Sequence, residues 1–135
     1  MRKLFIFLIF PVLMIAGNSC KKKEAEPSVK ELLTGPLWEY YEMEEYDSNG
    51  HLISATAYDN KVEITPHHHI YFYNSMGILI IYFNYELKED TEPEKLILID
   101  RGGYRSEFEI IKINRTEMIL KYVNNTGYLL LKHRR

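Results

Sequence analysis

Few side chains in this sequence sit at spacings that chemistry uses. The most suggestive run is His67-His68-His69. On a strand, His67 and His69 would share a face, and neutral imidazoles are common metal ligands. A closed zinc site takes four ligands, however, and no second Cys or His cluster lies nearby in sequence. Asp59 and Glu63 could join only through the fold. The run is read as polar residues opening a strand after Pro66, and no metal or other cofactor is expected. Acidic residues gather at Glu39, Glu42, Glu44 and Glu45 and again between Glu86 and Glu94. Paired carboxylates can do acid–base work, but only across a cleft of defined width. A solvated face is the simpler reading. The chain has no Gly-rich phosphate loop and no Gly-x-Ser-x-Gly elbow. An enzyme is not expected.

The remaining chemistry is that of binding. The chain has 11 Tyr, 6 Phe, 5 Met and a single Trp. Tyr joins an apolar body to a polar tip, which suits an amphipathic guest, although high β propensity alone accounts for many tyrosines. The residues read as lining such a site are Trp38, Tyr40, Tyr82, Tyr104, Phe108, Met118 and Tyr122.

The elements that must position them are strands. Candidate strands are Leu37–Tyr46, His51–Tyr58, Lys61–Thr65, His67–Asn74, Ile78–Leu87, Lys95–Asp100, Tyr104–Ile113, Thr116–Val123 and Gly127–His133, all rich in β-branched and aromatic residues. Asp47-Ser48-Asn49-Gly50, Asn74-Ser75-Met76-Gly77, Arg101-Gly102-Gly103 and Asn124-Asn125-Thr126-Gly127 supply turn chemistry. Asp59-Asn60 is read as a two-residue connection. No gap is long enough for a parallel crossover, which takes a dozen residues or more. The strands should therefore form an antiparallel meander. Closing it removes two exposed edges, so an up-and-down barrel of about eight strands is favoured over a β-sandwich. Within Thr116–Val123, Met118, Leu120 and Tyr122 share one face. Within Tyr104–Ile113, Tyr104, Ser106, Phe108 and Ile110 do, until the pattern slips at Ile110-Ile111 as a β-bulge would make it slip. Ile78–Phe83 is apolar on both faces. One must be covered by the preceding helix or by a partner.

That helix is short. Ser28 is a candidate N-cap with Glu31 three residues on, and Gly35 stops it, with Val29, Leu32 and Leu33 on one face. Gly35 and Pro36 then break the chain before Trp38, which is read as the plug at one end of the barrel.

The N-terminus is set apart. Arg2 and Lys3 precede a 13-residue apolar run, Leu4–Ala16, broken only by Pro11. It is too short to span a bilayer and fits the core of a secretory signal. The only cysteine, Cys20, follows directly after Ser19. Gly17-Asn18-Ser19-Cys20 resembles the lipobox of bacterial lipoproteins, which implies an acylated Cys20 as the new N-terminus. The organisation expected is a signal over residues 1–19, a lipidated Cys20 with a polar tether to residue 28, and one domain over 29–135. Without Arg2 and Lys3 the chain has 15 basic and 19 acidic residues, net −4. That argues against nucleic acid as a partner.

A helical turn, then a Gly shortly before a Trp at the first strand, then a meander, resembles the lipocalin-like lipoproteins of Bacteroidetes. The resemblance spans Leu32 to the C-terminus, with Gly35-Pro36-Leu37-Trp38 one residue longer than the lipocalin Gly-x-Trp. It implies a cup-shaped barrel that binds a small apolar or amphipathic molecule, held at the cell envelope and most simply at the outer membrane. It also implies a basic residue of the last strand over the Trp, for which Lys132, Arg134 and Arg135 are the candidates. The alternative is a packed barrel without a ligand, meeting an envelope protein through an apolar patch around Ile78–Phe83.

Overall fold

The computed structural model of the chain describes residues 24–135. The segment expected to be a signal, residues 1–19, and Cys20 lie outside the described residues. Ser28 caps helix α1 (Val29–Leu33). Its hydroxyl accepts from the Glu31 amide while the Glu31 carboxylate accepts from the Ser28 amide, the reciprocal box expected from the sequence. Eight strands follow: β1 (Trp38–Asp47), β2 (Leu52–Ile64), β3 (His69–Tyr73), β4 (Leu79–Lys88), β5 (Lys95–Ile99), β6 (Arg105–Ile113), β7 (Glu117–Val123) and β8 (Gly127–Arg134). Each pairs antiparallel with the next, and β8 returns to β1, closing an up-and-down barrel. The two-layer sandwich is thereby excluded.

Nine candidate strands become eight because Asp59-Asn60 is not a turn. The segments on either side of it both pair with β1, Trp38 to Tyr40 against Val62 to Asn60 and Glu42 onward against Ala57 onward. A continuous partner keeps β2 continuous, and the surplus residues are taken up as a register shift opposite Tyr41. The slip at Ile110-Ile111 is a bulge, as its doubled apolar pattern indicated: Ile110 pairs with Leu120 and Lys112 with Ile119.

Three of the hairpin turns are built alike. In Asp47–His51, Asn74–Ile78 and Asp100–Tyr104, the first side chain accepts from the amides two and four residues on. The fourth residue is Gly at φ 81°, 78° and 81°, where a side chain would be strained. These turns and the β7–β8 turn lie at one end of the barrel. Trp38, α1 and the C-terminus lie at the other.

Burial divides along the same axis. Leu33, Trp38, Val62, Ile64, Ile70, Tyr85, Leu96 and Met118 form a dry core toward the Trp38 end. α1 rests against β6 and places Leu33 in that core. It therefore does not cover Ile78–Phe83, contrary to one expectation. On the outer wall, Lys132 bonds to Glu42 and Glu44 and Arg134 to Glu39, opposite charges on the neighbouring strands β8 and β1, while Arg105 of β6 reaches across β5 to Glu86 of β4.

Candidate functional site

The floor of the barrel is made by the segment that opens β1. Gly35 and Pro36 turn the chain so that Trp38 enters the interior, where it is fully buried. Its Nε1–H donates to the Leu33 carbonyl at 3.0 Å. The last residue of the chain covers the ring. Arg135 lies 3.7 Å from the indole centroid, donates Nε–H to the Pro36 carbonyl at 2.9 Å and Nη2–H to the Leu33 carbonyl at 3.3 Å. Of the three basic candidates, it is Arg135 that takes this place. Arg134 instead pairs with Glu39 and lies over Tyr41, and Lys132 faces the Glu42–Glu44 pair. A Cβ at Gly35 would come within 2.8 Å of the Arg135 guanidinium. The glycine before the tryptophan is thus explained by the cation that must lie against both.

Above the floor is an interior pocket of about 80 Å³. Tyr40, Phe72, Phe108 and Met118 line it, together with Val62, Ile64, Ile70, Leu96, Leu98, Leu120, Leu131 and His133. Alternation along β8 sends Leu131 and His133 inward while Lys132 and Arg134 meet acidic partners outside. His133 is 3% exposed, and its Nδ1 has no hydrogen-bond partner. Its ring stacks on Tyr40 at 5.1 Å, and Tyr40 stacks on Tyr58 at 4.7 Å. Burial pushes the His133 imidazole down to about 4, so the ring is neutral near pH 7. Burial, and then the neighbouring Tyr58, holds the Tyr40 phenol well above its usual value.

The sequence-predicted residues divide. Tyr40, Phe108 and Met118 meet in the pocket, and Tyr122 packs beside Phe108 with ring centroids 5.2 Å apart. Trp38 closes the floor beneath them. Tyr82 and Tyr104 do not join them. Tyr82 is paired with Tyr71 on the outer wall, under the Arg101 guanidinium. Alternation places Tyr85, not Tyr82, in the core. Tyr104 belongs to the β5–β6 turn and is 68% exposed. The histidine run is also dispersed. His67 and His68 lie in the β2–β3 connection, and only His69 is in a strand. Among the described residues, no group of three His, Cys, Asp or Glu side chains could hold a metal ion. His133 had no motif to announce it. Its one sequence signal is its parity with Leu129 and Leu131.

The end opposite the floor is different. β4 pairs with β3 from Leu79, but with β5 only from Asn84 onward. β2 pairs with β3 only over Lys61–Ile64. The edges Leu79–Phe83 and Leu52–Asn60 therefore have no neighbouring strand. Leu52, Ile53, Met76, Ile78, Leu79, Ile80, Ile81, Tyr104 and Val123 are all exposed at this end. A surface cleft of about 440 Å³ runs between Leu79–Tyr82 and Asp100–Gly102. The arrangement offers apolar contact and free strand edges outside, and a small, almost wholly apolar pocket inside.

No protein-family model matches the chain, and no curated protein matches it at a significant level.

Proposed function

We propose that the chain is a lipid-anchored module of the cell envelope that works through the open end of its barrel, where it holds a partner protein. The observation that carries this reading is the continuous exposed apolar run Ile78–Ile81, with further exposed apolar side chains at the same end, beside two unpaired strand edges. Surface apolar residues scattered singly are ordinary, whereas a contiguous group at one end marks an interaction site. Free edges add main-chain donors and acceptors that a partner strand can use. The interior supports the same choice, because its pocket of about 80 Å³ falls well short of the roughly 300 Å³ that small-molecule sites occupy. The anchor fits as well. The chain enters the barrel at the floor, so a tether from Cys20 leads to the closed end and leaves the open end pointing elsewhere.

A second reading is favoured by His133. Its ring is one wall of a pocket otherwise lined by aromatic and aliphatic groups, which suits a small apolar molecule held inside the barrel.

Native mass spectrometry of the protein extracted from its own membrane tests both. The expected result is a second polypeptide in the complex, lost in an Ile78→Asp, Ile80→Asp variant whose folding stability stays within about 0.5 kcal/mol of the original. The chain alone, or with only a small molecule, contradicts the first reading. A small molecule would support the second.

A further inference from the structure

The two free edges at the open end are not alike, because only that of β4 borders a cleft. The Tyr85 N–H donates to the His68 carbonyl at 2.9 Å, on the β3 side. Alternation sends the main-chain groups of Asn84 and Tyr82 to the other side of β4. There Asn84 pairs with Ile99 of β5, while Tyr82 has no strand beside it. The cleft of about 440 Å³ lies in that place, between Leu79–Tyr82 and the turn at Asp100–Gly102. We propose that this edge takes an extended segment of the partner as an added antiparallel strand, apolar on its inward face and carrying a carboxylate on its outward face. The proposal rests on the first reading above, that a partner protein is held at the open end.

Main-chain chemistry sets the class. Tyr82 offers a donor and an acceptor that a helix, its own backbone already paired, cannot use and an extended segment can. A lipid surface would leave both groups unpaired. Alternation sets the pattern of side chains. Ile81 is opposite Phe72, which lines the interior pocket, so its face is inward, and it is 49% exposed for want of a neighbour on the β5 side. An apolar residue of the added strand covers it. Tyr82 faces outward, with the Arg101 guanidinium 4.7 Å from its ring centroid. Among the described residues no carboxylate pairs with Arg101. Asp100, on the same turn, has Oδ1 committed to the Gly102 and Tyr104 amides. An acidic side chain opposite Tyr82 lies within cross-strand reach of that cation. A second copy pairing through the same edge would not supply it, since Ile78–Phe83 holds no acid.

The test titrates the 15N-labelled full chain with the capped peptide acetyl-Lys-Thr-Val-Glu-Val-Thr-Val-Lys-amide, with the same peptide carrying Gln or Lys for Glu, and with the Glu peptide methylated on the Glu nitrogen. Amide exchange locates the binding. The expected result is saturable binding of the Glu peptide that slows exchange at Tyr82. Gln should bind about threefold to fivefold more weakly, the worth of an exposed ion pair, and Lys more weakly still. The methylated peptide should not bind. In an Arg101→Ala variant the Glu and Gln peptides should bind equally. Should that variant fail to fold, the three peptides on the unaltered chain decide. Equal binding of the Glu and Lys peptides, or undiminished binding of the methylated one, overturns the inference. So does slow Tyr82 exchange produced without peptide, by self-association or by phosphatidylcholine vesicles. Protection at Leu52–Asn60 in place of Tyr82 overturns it too, while leaving a partner at the open end standing. If no peptide binds, the inference falls, and the broader reading is decided by whether a second polypeptide accompanies the protein from its membrane.

Discussion

Replacing Trp38 by Ala is expected to destabilise the barrel by about 3–5 kcal/mol, the range for truncating a buried aromatic side chain. Trp38 is fully buried at the floor, so its removal opens a cavity that the surrounding strands cannot easily collapse. Two further contacts go with it. The Nε1–H bond to Leu33, 3.0 Å, ties the last turn of α1 to the barrel. The guanidinium of Arg135 loses the ring face on which it lies. The Leu33 carbonyl keeps one donor, Arg135 Nη2 at 3.3 Å, which limits the penalty for that group. Trp38→Phe keeps an aromatic ring and loses the indole N–H, and about 1–2 kcal/mol is expected. Trp38 is the only Trp, so tryptophan fluorescence cannot follow the variants. Urea unfolding read by far-UV circular dichroism can. A loss below about 1 kcal/mol for Trp38→Ala would show that the indole does not carry the floor.

The second large effect is acid destabilisation through His133. An unfolded His titrates near 6.5, whereas burial holds the folded imidazole at about 4. Between those values the unfolded chain takes up a proton that the folded chain does not. Stability is therefore fully present above about pH 6.5, is lost as pH falls through the window, and stops changing from this cause below about 4. The side chains facing the ring, Tyr40, Met118 and Leu131, carry no charge near neutral pH, and the backbone groups of Leu131 and Met118, which favour the imidazolium, offset only part of the effect of burial. From pH 7 to pH 4.5 the loss from this one group should be roughly 2–3 kcal/mol. The carboxylates of Glu39, Glu44, Asp47 and Glu86, each held below its usual value by its bonding partners, add their own loss at lower pH. Urea midpoints across pH 4.5–7 separate the two contributions. His133→Leu should flatten the upper part of the curve and leave the lower part. An unchanged slope in the variant would mean that the ring is not buried and neutral.

Much of the fold is legible in the sequence. The capping box at Ser28 and Glu31 is a local signal, and local hydrogen bonds decide it. Trp38 as a plug followed from Gly35 and Pro36 breaking the chain just before the largest apolar side chain. The doubled Ile110-Ile111 gave away a bulge because a shift of one residue reverses which face is apolar. Asp59-Asn60 misled for a related reason, since residues that favour turns also favour bulges. Only the pairing of both flanking segments with β1 tells the two apart. The site was half legible. Phe108 lies between two charged neighbours, and Tyr40 and Met118 each follow one, which marks their face. Ile78–Phe83 is apolar on both faces, so parity there says nothing, and a register shift between Phe72 and Tyr73 changes it again. Tyr82 lies on the outer wall because it shares the face of Asn84 and Glu86, opposite to Tyr85, a signal that begins only beyond the all-apolar run. Tyr104 was lost because its strand begins one residue later, at Arg105. Arg135 over the indole depends on where the chain end lands, which no spacing gives. The free edges of β2 and β4 arise from strand stagger. Stagger exists only once the barrel has closed, so it leaves no mark on any single strand.

Amide hydrogen exchange on the full chain, alone and in its own membrane, tests most directly whether the open end is the working surface. Alone, amides near the floor, around Trp38–Tyr40, Val62–Ile64 and Met118–Leu120, should be protected, while those on the free edges at Leu52–Asn60 and Leu79–Phe83 should exchange fast. In the membrane, new protection is expected at Leu79–Ile81 and Leu52–Ile53. Protection gained only at interior positions such as Phe108 and Leu131, or no change at the free edges, would contradict a partner at the open end.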